Sequence, residues 1–264
     1  MKTIAGTSYA RERAIQLRLL AAIERKYESQ YRKEIKRGTL AIINTSTGRE
    51  KNAAEETHRE NIKRILLGNW NTTFNSFGER ILTPAQKSIW RGIETKDFML
   101  DPAMAYKLAA ERWAARYGAS RLTEVVGTTS KDAQLIVSRA TAQAVRDNLD
   151  ERAAGLYIQA EIASKASSIS RLRSRVIART ETHTASQSAS YEAAKATGIN
   201  VKKQWSASGG DRTRESHDQA DGQTVGMEEY FDVGGEALLY PGDPNGSAEN
   251  VINCRCVTLI VPAE

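Results

Sequence analysis

The chain has 264 residues, 40% hydrophobic and 27% charged, which is enough apolar material for a substantial core and too much for wholesale disorder. No run approaches the roughly 18 consecutive apolar residues of a membrane span, and MKTIAGTSYARERA lacks the apolar stretch of a secretory signal, so two cysteines in a reducing compartment argue against a disulfide scaffold. The net charge of +6 is uneven: residues 1–170 carry 28 Lys+Arg against 19 Asp+Glu, while 171–264 carry 10 against 13, so the first part either meets something anionic or presents solvated helix faces.

Ile15, Leu19, Ile23, Tyr27, Tyr31 and Ile35 recur every four residues, which predicts a helix over about 8–37 with Gly38 as its stop and a loop over 40–49. A second helical pattern starts near Asn52, continues through Ile62, Leu66, Trp70, Phe74 and Phe77, and is expected to close at Gly78. Thr83-Pro84 reads as the start of a short helix ending at Gly92, and Asp101-Pro102 as the start of another ending at Gly118. Thr129 or Ser130 opens a helix through about Asn148, and the Ala-rich 153–166 is also helical. The small, polar IASKASSIS at 162–170 is a hinge or a weak helix, and the domain boundary is placed there.

From Ser170 a long helix is predicted up to Gly198, with Arg171, Arg175, Arg179 and His183 four apart on one side. Beyond it, turn dipeptides punctuate short β-like runs at 199–206, 223–226, 229–233 and 256–261. The expected class is therefore α+β: a mostly α-helical N-terminal region, 1–168, then a small α+β module, 169–264, built from a long helix and short antiparallel strands.

Both cysteines lie in N-C-R-C at 253–256, at the start of the last β-like run. In a strand, Cys254 and Cys256 would face the same way with Cα atoms about 6.6 Å apart, from a rise of ~3.3 Å per residue. That spacing lies near the upper edge of disulfide geometry but lets both thiolates reach one metal. His217, Asp211, Asp218 and Asp221 in DRTRESHDQADG, and His183 on the long helix, are the candidate further ligands, and Cys₂His with an aspartate or second histidine suits zinc. The alternative is that the cysteines are two buried small side chains and His217 a capping or bridging residue.

ARTET at 178–182, Trp205, DRTR at 211–214, His217, Gly222, YPGDP at 240–244 and NCRC at 253–256 occur in that order. Over roughly 172–264 this ordered set resembles the phage Mu F-like domain of minor head morphogenesis proteins. The resemblance implies a minor capsid protein of the virion, at the portal vertex inside the capsid, that meets the portal protein and other head components and passes through the host cytoplasm during assembly. It also implies roles in head morphogenesis and in handling packaged or ejected DNA. In its light, Arg179, Glu181, Asp211, Arg212 and Arg214 are expected to form an ion-pair lattice pinning the long helix to the β module, with Trp205 as a further motif residue.

Three functional readings follow. The first is structural, with the Trp70/Phe74/Phe77 and Tyr27/Tyr31 stripes serving as docking faces or as the protein's own core. The second is non-specific binding of double-stranded DNA, with Arg171, Arg173 and Arg175 of RLRSR engaging phosphates. The third is a metal-dependent nuclease or hydrolase using His217, Cys254, Cys256 and Asp211 around zinc, with Asp211 or Asp218 as base. No H-E-x-x-H, G-x-S-x-G or phosphate-cradling glycine loop supports it, and the expectation is a non-enzyme.

Overall fold

The computed structural model describes residues 8–45, 47–89 and 102–263. Four long helices come first: α1 (Tyr9–Ile43), α2 (Gly48–Ile89), α3 (Pro102–Arg146) and α4 (Glu151–Ala196). They are followed by β1 (Val201–Ser206), α5 (Glu215–Gln219), β2 (Thr224–Gly226), β3 (Phe231–Val233), β4 (Glu236–Leu238), α6 (Ala248–Val251) and β5 (Val257–Pro262). The α+β class is as the sequence indicates, and the boundary expected at 168–169 falls within α4.

The helices are fewer and longer than their punctuation suggests. α1 passes through Gly38, α2 through Gly78 and Thr83-Pro84, and α3 through Gly118, Thr129 and Ser130. The stop expected at Gly92 lies outside the described residues. Other signals act where they stand. α3 begins at Pro102, Asn148 ends it in the left-handed region at φ 50°, and Gly198 at φ 65° follows α4. The start of α2 is a reciprocal cap: Thr47 Oγ1 accepts from the Glu50 amide, and the Glu50 carboxylate accepts from the Thr47 amide.

The chain forms two compact units, to each of which every long helix contributes a segment. One comprises the described residues of Arg25–Gly68 and Gly118–Ala178. Tyr31, Ile35, Ile62, Leu66, Val125, Ile136 and Ala140 are buried in it, and the Tyr27 hydroxyl donates to the Gly68 carbonyl at 2.6 Å. Gly38 sits where a Cβ would fall 2.3 Å from Nδ1 of His58, whose ring is held 2.9 Å from Glu34. Gly38 thus allows α1 and α2 to approach closely there and does not end a helix.

The other unit comprises the described residues of Met1–Glu24, Asn69–Tyr117 and Arg179–Glu264. Trp70 meets Trp113 edge to face at 5.3 Å, and Phe74 packs on Trp113 and Tyr106. Both aromatic stripes of the sequence are therefore core. Gly78 plays the part of Gly38: a Cβ there would lie 2.2–2.5 Å from the ring and hydroxyl of Tyr106, which donates to the Phe74 carbonyl at 2.5 Å. Gly78→Ala gains about 1 kcal/mol of helix propensity, but overpacking costs about 1–3 kcal/mol. A net loss of up to about 2 kcal/mol is expected, read as a lower urea midpoint at unchanged slope. A raised midpoint would show that Tyr106 gives way.

In the same unit β1 is the centre of a three-stranded antiparallel sheet, ordered β2-β1-β5. Trp205 pairs with Thr258 and Lys203 with Ile260. β3 and β4 form a hairpin through Gly234-Gly235, both at positive φ (64° and 84°), as a two-residue turn matched to strand twist requires. β4 carries no alternation long enough to read from sequence. The second half of α4 is buried on every side from Thr180 to Tyr191, and it carries polar side chains that reach neighbouring elements: Thr182 donates to Asn69 Oδ1, His183 to the Cys256 carbonyl, and Gln187 accepts from the Thr258 amide.

Candidate metal centre

The site is assembled at the end of β5 nearest N-C-R-C. Asn253 adopts φ 60°, a left-handed conformation that asparagine tolerates better than most residues. Its amide donates to Thr180 Oγ1 at 3.2 Å, and its side-chain oxygen accepts from Arg179 at 3.3 Å. Two further bonds fasten the next residues to α4. His183 Nε2 donates to the Cys256 carbonyl at 2.7 Å, and Gln187 Oε1 accepts from the Thr258 amide at 2.7 Å. Thr180, His183 and Gln187 are spaced three and four apart, one face of a helix, so ARTETHTASQ is the strip that receives N-C-R-C-V-T. Burial pushes His183 down to about 4, and its Nδ1 finds no hydrogen-bond partner among the described residues, so its imidazole is neutral.

Cys254 and Cys256 are free thiols just ahead of β5, both buried. α5 brings His217 to them: Nδ1 lies 3.3 Å from Cys256 Sγ and 3.6 Å from Cys254 Sγ. His217 Nε2 faces Asn250 Oδ1 at 3.1 Å, and Asn250 Nδ2 donates to the Val233 carbonyl, which fixes the amide's orientation. Nε2 therefore carries the hydrogen and Nδ1 turns its lone pair to the two sulfurs. A hydrogen bond from Cys254 holds the Cys256 thiol below its ordinary range and pushes Cys254 above it. Trp205 and His217 meet edge to face at 5.5 Å, and Trp205 meets Phe231 at 5.4 Å, so an apolar wall backs the histidine.

The potential ligand atoms of His217, Cys254 and Cys256 all lie within 4.8 Å of one another. The other expected ligands are not brought to them. Asp211 and Asp218 are exposed, and Asp221 accepts from the Ala207 amide at 2.7 Å to close the Asp221-Gly222 turn. The three ligand residues line a cavity of 590 Å³ that they share with Arg179, Arg212, Arg214 and Arg255. Among the described residues, no carboxylate lines it. Glu24 lies behind, 3.1 Å from Arg255 and 3.9 Å from Arg179.

The expected arginine–aspartate lattice takes a different form. Arg214 donates to the Ile252 carbonyl at 2.6 Å, Glu181 accepts from the Trp70 indole at 3.3 Å, and Asp211 and Arg212 lie exposed. The helix is pinned by the Thr180, His183 and Gln187 bonds, of which Gln187 carried no signal in the sequence. YPGDP is a packed turn: the Asp243 carboxylate accepts from the Leu239 and Asn245 amides, and Gly242, at φ 75°, lies against His183. In RLRSR, Arg173 turns inward to Asp132 at 2.9 Å, Thr129 and the Val125 carbonyl, Arg175 approaches Glu28 at 3.7 Å, and Arg171 is exposed. Arg173 is thus spent within the protein and is not turned toward a phosphate.

Fold and site together define a helical α+β protein whose scattered motifs meet where one buried helix receives a histidine–dithiol turn. Residues 119–259 match the family described as Phage Mu protein F like protein, and the chain belongs to that family. The match begins well ahead of the 172–264 stretch that carries the motifs. Among curated relatives, the NAD(+)–arginine ADP-ribosyltransferase EFV of Enterococcus faecalis is 40% identical over 88 residues, 32% of this chain and 18% of that protein. The uncharacterized protein YqbB of Bacillus subtilis is 37% identical over 91 residues, 33% of this chain and 30% of that one. Minor head protein GP7 of Bacillus phage SPP1 is 37% identical over 97 residues, 35% of this chain and 31% of that one. The chain thus spans less than a third of these relatives' own lengths. No solved structure matches it.

Proposed function

We propose that the protein is a minor component of a phage head, joined to the portal vertex and acting in head morphogenesis. The observation that carries this reading is family membership together with the similarity to a minor head protein. The geometry agrees with an assembly role. ARTET and NCRC meet where α4 is fastened to the strand, through Arg179 and Thr180 to Asn253 and through His183 to the Cys256 carbonyl, and among the described residues no carboxylate that could act as a general base lines the cavity beside them. No described helix is long and apolar enough to cross a membrane. Heads assembled in the presence of the tagged chain, then separated by density gradient, are the test. The chain should sediment with the heads and be missing from those made without portal protein. A chain that stays in the soluble fractions would overturn the reading, and one that joins portal-free heads would overturn the portal contact.

Handling of the packaged or ejected DNA rests on charge alone, the excess of 28 basic over 19 acidic residues across 1–170. Contact through phosphates weakens steeply with salt. Retention on duplex of arbitrary sequence should therefore fall as salt rises, and salt-independent retention would count against a phosphate-driven contact.

A further inference from the structure

We propose that His217, Cys254 and Cys256 bind one zinc ion through Nδ1 and the two Sγ atoms, and that its fourth position opens into the arginine-lined cavity and accepts an oxygen of an oxyanion. The spacing is the first argument. Ligands on a tetrahedral zinc, with Zn–S near 2.3 Å and Zn–N near 2.05 Å, stand about 3.6 Å apart. His217 Nδ1 lies 3.3 and 3.6 Å from the two sulfurs, with all three atoms inside 4.8 Å.

Orientation is the second. Nε2 is occupied by Asn250, itself fixed by the Val233 carbonyl, so the ring presents a lone pair to the point the sulfurs face. A histidine bound to metal through one nitrogen ordinarily has its other nitrogen held in this way. Two sulfurs and an imidazole select a soft or borderline ion such as zinc over magnesium or calcium, which prefer oxygen.

The open position follows from what is missing around the three ligands. Among the described residues, no fourth ligand atom joins their group. His183 already faces the Cys256 carbonyl, Asp221 is bonded at its turn, and Asp211 and Asp218 are exposed. Three protein ligands with one free position is the arrangement of a zinc that takes an outside ligand. Arg179, Arg212, Arg214 and Arg255 line the space beside it, Glu24 offsets one of these charges from behind Arg179 and Arg255, and the net positive charge that is left favours an anion. Zinc binding displaces the thiol protons to solvent and involves no change of oxidation state.

The test uses the full chain, purified reduced and without a tag. Elemental mass spectrometry should find one zinc per chain, and Cys254→Ala and His217→Ala should each lose it. The variants can fail to fold, so a second measurement keeps to the parent. The metal-free reduced chain is titrated with cobalt(II), and the thiolate-to-cobalt absorption should saturate at one equivalent. A parent that carries no zinc and develops no such absorption would overturn the site. Inorganic phosphate is then added to the cobalt-loaded chain. A shift in the ligand-field bands that Arg214→Ala weakens is the expected result. Bands that phosphate leaves unchanged would overturn the open position.

Discussion

Gly242→Ala is expected to destabilise the protein by about 2–5 kcal/mol, from two separate causes. The residue sits at φ 75°, where an L side chain costs about 1–2 kcal/mol. In addition, a Cβ there would fall 2.6 Å from His183 Nδ1 and 3.0 Å from Cε1. His183 is fully enclosed, and its other nitrogen is committed to the Cys256 carbonyl at 2.7 Å. The ring cannot back away without breaking the bond that fastens N-C-R-C to α4. Gly198 supplies the control. It has a similar φ of 65°, but nothing lies within 4 Å of its notional Cβ. Gly198→Ala should therefore cost only the conformational part, about 1–2 kcal/mol. Urea unfolding of the two variants beside the parent measures the difference. Equal losses would show that the approach of the YPGDP turn to His183 does not constrain the fold.

The glycines also show what the sequence discloses and what it hides. Gly198, Gly222 and Gly242 stand at turns with positive φ, and a punctuation reading finds them. Gly38 and Gly78 look the same in one dimension, but each lies within a helix at a point where another helix presses close. The signal that α2 continues past Gly78 lies in contacts with Tyr106, residues away in sequence, so no local window contains it. The start of α2 carries a local signal that the expected loop over 40–49 and start near Asn52 passed over: Thr47-Gly48-Arg49-Glu50 has the T-x-x-E spacing of a reciprocal cap, and α2 begins at Gly48.

The site divides along the same line. Donor chemistry pointed to His217, Cys254 and Cys256, because thiols and an imidazole are rare enough to be singled out, and the fold brings them together. Aspartates are common and solve many local problems, so nothing in one dimension distinguishes Asp221, which closes a turn, from the exposed Asp211 and Asp218. Arg173 carried a phosphate-binding expectation from its neighbours Arg171 and Arg175, yet helical geometry turns it toward Asp132 while Arg171 stays exposed. Charge runs on helices report composition, and the helix phase decides which members are available.

Trp205→Ala is expected to cost about 3–5 kcal/mol, the range for deleting a large buried aromatic. Trp205 is completely buried at the centre of the small sheet, with Phe231 on one edge and His217 on the other. Its neighbours in the cluster, Val233, Leu238, Cys254 and Cys256, come from three different chain segments, so they lose a shared wall and cannot close the space by moving one element. Backbone bonds sharpen the effect. The Trp205 amide and carbonyl bond the Gln223 carbonyl and the Gly222 amide, so a shift of β1 is passed to the Asp221-Gly222 turn and from there to α5. Trp205→Phe separates volume from polarity. The indole N–H finds no acceptor among the described residues, so the phenyl ring removes an unsatisfied donor while keeping most of the contact area. The expected order of urea midpoints is parent, then Trp205→Phe within about 1.5 kcal/mol, then Trp205→Ala far below. A phenylalanine variant as unstable as the alanine one would mean that the indole N–H does meet a partner on which the fold depends.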